Sequence, residues 1–164
     1  MDRFLSIEKK LDEVLSKLEE RAPGHARKAD DKFWALQELR ERVTDVSGQI
    51  MLLGSVVTPD GTPYEWQEGR TTQSLLERDW SEGSDVLAAL AHPVRLSIMQ
   101  KVVTGTGQTS AFSELDSVAT TGQLHHHIRL LTAAGWLRHT ARGQYSVPPS
   151  RVIPLLTLLS IALP

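Results

Sequence analysis

The sequence predicts a mainly α-helical fold with two small β-hairpins. Through most of the chain, apolar residues recur at spacings of three and four, which is typical of amphipathic helices. Two shorter stretches, residues 49–70 and 136–147, instead contain β-forming residues on either side of a turn with glycine. Most of the fold is therefore expected to be helical, with strands confined to these two stretches.

The composition limits the class of protein. The chain has 164 residues, of which 40% are hydrophobic and 23% are charged, so one or two small domains with a real core are expected. There is no cysteine, which excludes disulfides and thiolate metal sites. The N-terminus has no basic region followed by an apolar one, and no apolar run is long enough to span a bilayer. We therefore expect a cytoplasmic protein without a membrane partner.

The first two predicted helices cover residues 2–21 and 25–44, with a Pro-Gly break between them. Apolar residues of the first helix follow a heptad seam that is typical of a coiled coil. The seam consists of Phe4, Ile7, Leu11, Val14 and Leu18. These helices form a helical hairpin that either packs as core on the rest of the chain or pairs with a second subunit. Pairing is favoured, because so short a helix is rarely stable alone.

The next predicted element is a β-hairpin over residues 49–70. Residues 50–57 are rich in β-forming residues, a Pro-Asp-Gly turn follows, and Tyr64 and Trp66 then alternate with polar residues. The two aromatic rings either line a small-molecule pocket or pack the hairpin onto the helices, and packing is favoured. An effector, whether a small molecule or a protein, is left open, with this hairpin as its expected place.

A domain boundary is predicted after residue 83. Residues 71–80 form a connecting helix and residues 81–84 a linker, in which Ser84 caps the helix that follows. Residues 1–83 form an N-terminal domain for dimerisation or sensing with a net charge of −5, and residues 84–164 a domain with a net charge of +3. The positive domain is the one suited to an anionic partner such as nucleic acid.

Two helices open the C-terminal domain. Pro93 fits the first turn of the second helix, where its missing N–H costs nothing. Leu96, Met99 and Val103 are predicted to form the core stripe of that helix. Residues 104–110 are predicted to form a flexible loop, whose glycines are not spaced as in a phosphate-binding loop.

Residues 113–147 are predicted to form a short helix, a turn, a longer helix and a small hairpin. Leu115 and Val118 give the short helix an apolar edge, and Thr120 caps the longer one. The core stripe of the longer helix is Leu124, Ile128 and Leu131. Gly135 lies just past its last turn, where a left-handed residue usually ends a helix. This order of elements is a helix-turn-helix followed by a β-wing.

The polar side chains that the core stripe leaves outside carry the predicted chemistry. A helix fits the major groove of DNA, where amide, imidazole and guanidinium groups meet base edges, and bare N–H groups at a helix N-terminus attract phosphate. The candidates for base and groove contacts are Gln123, His125, His126 and Arg129. The candidates for phosphate and wing contacts are Thr121, Gly122, Arg138 and Arg142.

Three motifs in this half of the chain occur in a characteristic order. They are LAHPVRLSI at residues 90–98, a histidine pair before isoleucine at residues 126–128, and AAGWL at residues 133–137. Together they resemble the winged helix-turn-helix repressors of the ArsR/SmtB type, over residues 85–161. The resemblance implies a DNA-binding winged helix, and a dimer in which the last helix forms part of the interface.

Metal and enzyme chemistry are not indicated. His125, His126 and His127 are consecutive on a helix, so they point about 100° apart and cannot converge on one ion. We expect His127 to be a hydrogen-bonded packing residue. There is no cysteine nucleophile and no serine-hydrolase or zinc-protease motif, and Glu114 and Asp116, two residues apart, do not face each other. We expect no catalytic residues, no metal and no cofactor.

The last predicted helix, residues 150–162, is apolar nearly all round and must be buried between domains or between subunits. The sequence therefore predicts a homodimer that forms through this helix, through the N-terminal helices, or through both. The predicted function is sequence-specific binding of double-stranded DNA by a homodimeric transcriptional regulator, most simply a repressor that reads a pseudo-palindromic operator. The alternative is a winged-helix protein-interaction or scaffold module that does not bind DNA specifically.

Overall fold

The computed structural model describes residues 33–44, 46–115 and 120–164. The chain divides into two compact units, Met1–Arg42 and Val43–Pro164. The described helix of the first unit is α1, Trp34–Arg42, which lies inside the helix predicted over residues 25–44. The heptad seam predicted for residues 2–21 lies outside the described residues.

The second unit contains all the other described elements. In chain order they are β1 (Gln49–Val57), β2 (Pro63–Thr71), α2 (Thr72–Leu76), a 3₁₀ helix (Trp80–Gly83), α3 (Ser84–Ala88), α4 (Pro93–Val103), α5 (Thr109–Ser113), α6 (Thr121–Ala133), β3 (Arg138–Ala141), β4 (Gln144–Ser146) and α7 (Pro149–Ala162). Over the described ranges, a helix-rich fold with two small antiparallel sheets is thus confirmed. The division after Arg42 places the β1–β2 hairpin in one unit with residues 84–164, so it does not coincide with the predicted boundary after residue 83.

The β1–β2 hairpin is closed by a turn that its own side chains stabilise. The Thr58 hydroxyl donates to Oδ1 of Asp60 at 2.5 Å, and the same oxygen accepts from the Thr62 N–H at 3.1 Å. These hydrogen bonds lower the pKa of the Asp60 carboxyl. Gly61 has a φ of +82°, a left-handed conformation that glycine adopts without steric cost. The predicted hairpin and its turn are both confirmed.

One face of this hairpin packs on α7. Gly54 pairs with Trp66 across the two strands, and the neighbouring pair, Val56 and Tyr64, packs against the hydrophobic core. A Cβ atom on Gly54 would lie 2.6 Å from Cγ2 of the buried Ile153, so no side chain fits at this position. The Nε1 atom of Trp66 is buried and has no hydrogen-bond partner among the described residues. Both aromatic rings therefore pack inward, which is the reading that the sequence favoured.

The segment between this hairpin and α4 differs from the prediction. The connecting helix predicted over residues 71–80 ends at Leu76, and the predicted linker is a 3₁₀ helix followed by α3. Ser84 does not cap α3 but is its first residue. The Asp79 side chain instead accepts a hydrogen bond from the Ser81 N–H and caps the 3₁₀ helix. This cap starts a separate 3₁₀ helix at the end of the predicted helix, over residues that were expected to be mostly linker.

The buried face of α4 is rotated from the predicted one. Of the three residues in the predicted stripe, Met99 is buried, but Leu96 and Val103 are only half-buried. The buried face instead includes Val94 and Ile98. The apolar residues of α4 cover a wide arc that Arg95 interrupts, so residue spacing alone does not distinguish the side that faces the core.

The first helix of the predicted helix-turn-helix lies earlier in the chain than expected. α5 begins at Thr109, inside the predicted loop of residues 104–110, and its Phe112 is fully buried. Leu115, expected on the apolar edge of this helix, is half-buried after the helix ends, and Val118 lies outside the described residues. One buried aromatic ring, Phe112, holds α5 against the core. The helix has no repeated aliphatic spacing, so the sequence pattern did not show where it begins.

α6 and the β3–β4 hairpin follow the prediction more closely. The buried residues of α6 are Leu124, Ile128 and Leu131. Gly135 has a φ of +73° and ends the helix as expected. Trp136 and Leu137, predicted to start the first wing strand, are buried in the core, and β3 begins after them. The predicted hairpin therefore exists, with its first strand shifted toward the C-terminus.

α7 is a core element of its own chain. Its N-terminal half carries the buried residues Val152, Ile153 and Leu155. Its C-terminal end is different, since Ile161 is 78% exposed and the following Leu163 is 64% exposed. Within the described part of α7, this end carries the most exposed apolar side chains.

Among the described residues, no single helix is both long and apolar enough to cross a membrane. The consecutive segments Trp80–Ala88 and Pro93–Val103 meet the length and composition criteria only as a pair, which is bent by 78°.

Substitution of Gly54 by alanine tests the contact between the hairpin and α7. The new Cβ would lie 2.6 Å from the buried, β-branched Ile153. Because overpacking of this kind costs about 1–3 kcal/mol, Gly54→Ala should lower the free energy of unfolding in urea by that amount. The control is Gly83→Ala, where φ is −85° and nothing lies within 4 Å of a Cβ. Equal stability of the two variants would contradict the close packing.

Candidate nucleic-acid interface

The candidate interface is built on α6. A cap fixes the residue at which this helix begins, and a buried apolar stripe fixes which side faces the core. The Thr120 hydroxyl oxygen accepts a hydrogen bond from the backbone N–H of Gln123 at 3.3 Å and caps the helix, as predicted. The opposite side of the helix is buried through its apolar stripe. The first-turn residues Thr121 and Gly122 are exposed, and backbone N–H groups at this position have no acceptor within the helix.

All eight residues predicted to contact DNA are exposed. They are Thr121, Gly122, Gln123, His125, His126, Arg129, Arg138 and Arg142. Arg129 lies near His126, with a distance of 3.4 Å between the guanidinium Nη2 and the imidazole Nδ1. The two basic side chains are therefore neighbours on the outer face of α6, and neither is turned into the protein.

A concave surface of about 600 Å³ joins α6 to the β3–β4 hairpin. His125 and Arg129 line it from the helix, and His139 and Tyr145 line it from the hairpin. The last two residues are a cross-strand pair whose ring centroids lie 5.2 Å apart, edge to face. The sequence prediction missed both of them. Their alternation along the predicted wing strands was the available signal, but it does not show which strand face turns toward α6.

The β3–β4 hairpin is held in place by the chain just before α5. The Tyr145 N–H donates to the Gly107 carbonyl at 2.8 Å, and the Thr109 N–H donates to the Gly143 carbonyl at 2.9 Å. A Cβ atom on Gly107 would lie 2.1 Å from the carbonyl oxygen of Tyr145, so only glycine fits there. These contacts fix the distance between the hairpin and the helical part of the unit.

The two wing arginines are placed differently. The Arg138 Nε atom donates to the Ser146 hydroxyl across the hairpin at 2.9 Å, which holds this guanidinium along the strand pair. Arg142 lies in the turn beside Gly143 and is exposed at the hairpin tip. Arg138 is therefore preorganised, whereas Arg142 reaches outward from the end of the wing.

Among the described residues, no carboxylate forms an ion pair with the arginines of α6 and the wing. In the described part of the chain, the ion pairs join Glu38 to Arg42, Glu68 to Arg70 and Arg78 to Glu82. Over these same residues, Arg129, Arg138 and Arg142 have no carboxylate within 4.0 Å. An uncompensated cationic surface attracts a polyanion and releases its counterions on binding.

His127 packs against the protein instead of joining this surface. The centroids of its ring and the His92 ring lie 4.6 Å apart, and its Nδ1 is buried without a hydrogen-bond partner among the described residues. His92 in turn caps α4, because its Nδ1 accepts from the Val94 N–H at 3.2 Å. The predicted packing role is confirmed, but the hydrogen bond expected for His127 is not formed at Nδ1. No group of three His, Asp or Glu side chains in the described ranges is placed to hold a metal ion.

Lower pH is expected to destabilise the fold through His127. Burial first, and then the charges of His92, Arg95 and His126, lower the pKa of His127 below its usual 6.5. The unfolded chain therefore takes up a proton that the folded chain does not, so this stability is present above about pH 6.5 and decreases as the pH falls below it. The free energy of unfolding should fall less in His127→Gln than in the unmodified protein between about pH 7.5 and about pH 5.5. Identical pH dependence in both proteins would show that His127 plays no part.

No protein-family model, no curated protein and no solved structure matches this chain. The likeness to the ArsR/SmtB type therefore rests on the motifs of residues 90–98, 126–128 and 133–137.

Proposed function

We propose that this protein is a sequence-specific, double-stranded DNA-binding transcriptional regulator, a homodimeric repressor of the ArsR/SmtB type. In this proposal α5 and α6 are the helix-turn-helix, and the β3–β4 hairpin is the wing. α6 enters the major groove with Gln123, His125, His126 and Arg129 toward the bases. Its N-terminus and the wing arginines contact phosphates or the adjacent minor groove.

The observation that carries the proposal is the concave surface between α6 and the wing. Its basic side chains, His125, Arg129 and His139, are exposed, lie on two elements of one unit, and have no carboxylate partner over the described residues. Arginine pairs well with guanine and glutamine with adenine, because each can form two hydrogen bonds to the base edge. A helix beside a hairpin thus supplies both base-reading and backbone-contacting groups.

A dimer follows from the modest charge of one copy. Residues 84–164 carry a net charge of only +3, so two copies on one duplex are expected to be needed for tight binding. Two α6 helices in successive major grooves lie about 34–36 Å apart, which implies half-sites one helical turn apart. The proposed dimer interface is formed by the apolar end of α7 at Ile161 and Leu163, by the N-terminal helices, or by both.

The same modest charge supports a second candidate, a winged-helix protein-interaction module. In that case Arg129 and Arg142 would simply be solvated, and no DNA would be retained. The two candidates differ in their response to salt, because phosphate contacts release counterions and weaken steeply as the salt concentration rises. A selection of bound duplexes from a random DNA pool, followed by affinity measurements across a salt series, separates them. The absence of a shifted duplex at every salt concentration would favour the interaction module.

The first functional prediction concerns Arg129. If it reads guanine, Arg129→Ala should weaken binding to the selected duplex by about 1–3 kcal/mol and relax base preference at one position of each half-site. Fluorescence anisotropy with the selected duplex and with single-base variants measures both effects. Lys101→Ala, on α4 and outside the concave surface, is the matched loss of one cation and should leave base preference intact. Uniform weakening on all duplexes would instead make Arg129 a phosphate contact.

The second functional prediction concerns the end of α7. Replacing Ile161 and Leu163 together by glutamate should leave the fold intact, because both side chains are exposed, but should convert the dimer to monomers. Sedimentation velocity measures the assembly, and circular dichroism measures the fold. Leu76→Glu, an exposed leucine on α2, is the control. A dimer that persists in the double variant would move the interface to the N-terminal helices.

A further inference from the structure

A groove of about 660 Å³ opens between the β1–β2 hairpin, the segment formed by the 3₁₀ helix and α3, and α7. Its apolar walls include Leu52 from β1, Leu87 from α3 and Leu158 from α7. Sites for small organic ligands have volumes of about 300–1,000 Å³, so the groove has a suitable size. None of the eight residues proposed to contact DNA lines it, so it is a separate surface.

Trp136 and Arg151 define one side of the groove. The Trp136 indole is only 1% exposed, and its Nε1–H donates to the Val86 carbonyl at 2.8 Å. The guanidinium carbon of Arg151 lies 5.0 Å from the centroid of this ring, which is a cation–π contact. The charge of Arg151 is therefore positioned by a ring that is itself fixed in the core.

Among the described residues, Arg151 is the cation of the groove that has no ion pair, and the one unpaired carboxylate of the groove, Asp79, accepts a hydrogen bond from the Ser81 N–H. The two other arginines that line the groove, Arg70 and Arg78, form ion pairs with Glu68 and Glu82. Arg151 has no carboxylate within 4.0 Å among the residues that the structure describes. A half-buried cation beside apolar walls is poorly solvated, and an anionic ligand would supply the missing partner.

Trp80 provides a flat apolar surface in the same groove. It is 73% exposed, yet its Nε1–H donates to the Leu75 carbonyl at 2.9 Å, which holds the ring in place. The 3₁₀ helix that begins with Trp80 is itself capped by Asp79, whose carboxylate accepts from the Ser81 N–H at 2.9 Å. An exposed ring that is already held by a hydrogen bond loses little conformational entropy when a ligand covers it.

We propose that this groove binds a small organic anion with a flat, apolar body, such as an aromatic carboxylate. The carboxylate pairs with the Arg151 guanidinium, and the apolar body covers Trp80 and Leu87. The positive charge of Arg151 favours an anion over a neutral molecule. The exposed indole of Trp80 favours a flat, apolar ligand body over a polar, hydrated one. The proposal does not depend on DNA binding, because its residues lie outside the α6–wing surface.

The test compares naphthoate with naphthamide, which has nearly the same shape but no charge. Each is titrated into the full-length protein by isothermal calorimetry. Because a hydrogen bond to a charged group is worth more than a neutral one, naphthoate should bind roughly tenfold more tightly than naphthamide. Equal affinities, or no binding of naphthoate, would overturn the proposal.

Two variants locate the binding site. Arg151→Gln should abolish the preference for naphthoate, and Trp80→Ala should weaken both ligands. Lys101→Gln removes the same charge from α4, outside the groove, and should leave both affinities unchanged. Trp80 is exposed, so its variant is expected to fold even if Arg151→Gln does not. A preference that survives Arg151→Gln in a folded protein would refute the pairing.

The indole N–H signals in a ¹⁵N–¹H spectrum give an independent readout. Naphthoate should shift the signals of Trp80 and Trp136, while that of Trp66, which lines no part of the groove, stays in place. Sedimentation measures whether the protein is a monomer or a dimer at each concentration. If naphthoate bound the monomer but not the dimer, a second copy would occupy the groove, and the proposal would be overturned. Arg129→Ala tests DNA binding and should leave naphthoate binding intact, so the two proposals can fail separately.

Discussion

Burial of the apolar stripe of α6 is the constraint on which the candidate interface depends. Leu124, Ile128 and Leu131 lie in the core, where α6 packs against α4 and α5, and each fully buried side chain of this kind contributes about 1.5–3 kcal/mol. Rotation of the helix by one residue, about 100°, would expose this stripe and turn histidine or arginine side chains inward without partners. The core therefore determines which side chains face outward, and the chemistry of the surface follows from the packing beneath it.

The second wall of the interface depends on a backbone contact and not on a side-chain pattern. The chain before α5 pairs with the β3–β4 hairpin, and the absence of a side chain at Gly107 allows the Tyr145 backbone to approach. As a result, His139 and Tyr145 face the same concavity as Arg129. The unpaired cations of this surface contrast with the described ion pairs, which all lie before residue 84, so the positive charge is concentrated where a polyanion would bind.

Trp136 connects the two proposed sites. It follows α6 directly after Gly135, it lies two residues before β3, and its indole supports Arg151 in the groove. A ligand that pairs with Arg151 would therefore contact the segment that joins the proposed recognition helix to the wing. The Trp136 ring of this segment is buried and hydrogen-bonded to the Val86 carbonyl. This arrangement offers a short physical path between a small-molecule site and a DNA-binding surface.

The sequence by itself determined the features that depend on residues near one another in the chain. These are the helical content, both hairpins, the Thr120 cap, the end of α6 at Gly135 and the outward face of α6, since periodicity, capping and left-handed glycines are local properties. It did not determine the buried face of α4, whose apolar residues cover a wide arc, or the start of α5, which one buried aromatic ring holds against the core. Only the tertiary structure decided that His139 and Tyr145 join Arg129, and that Trp80 and Arg151 share a groove. The physical reason is that these surfaces are made by elements far apart in the chain, and their meeting depends on how the whole core packs.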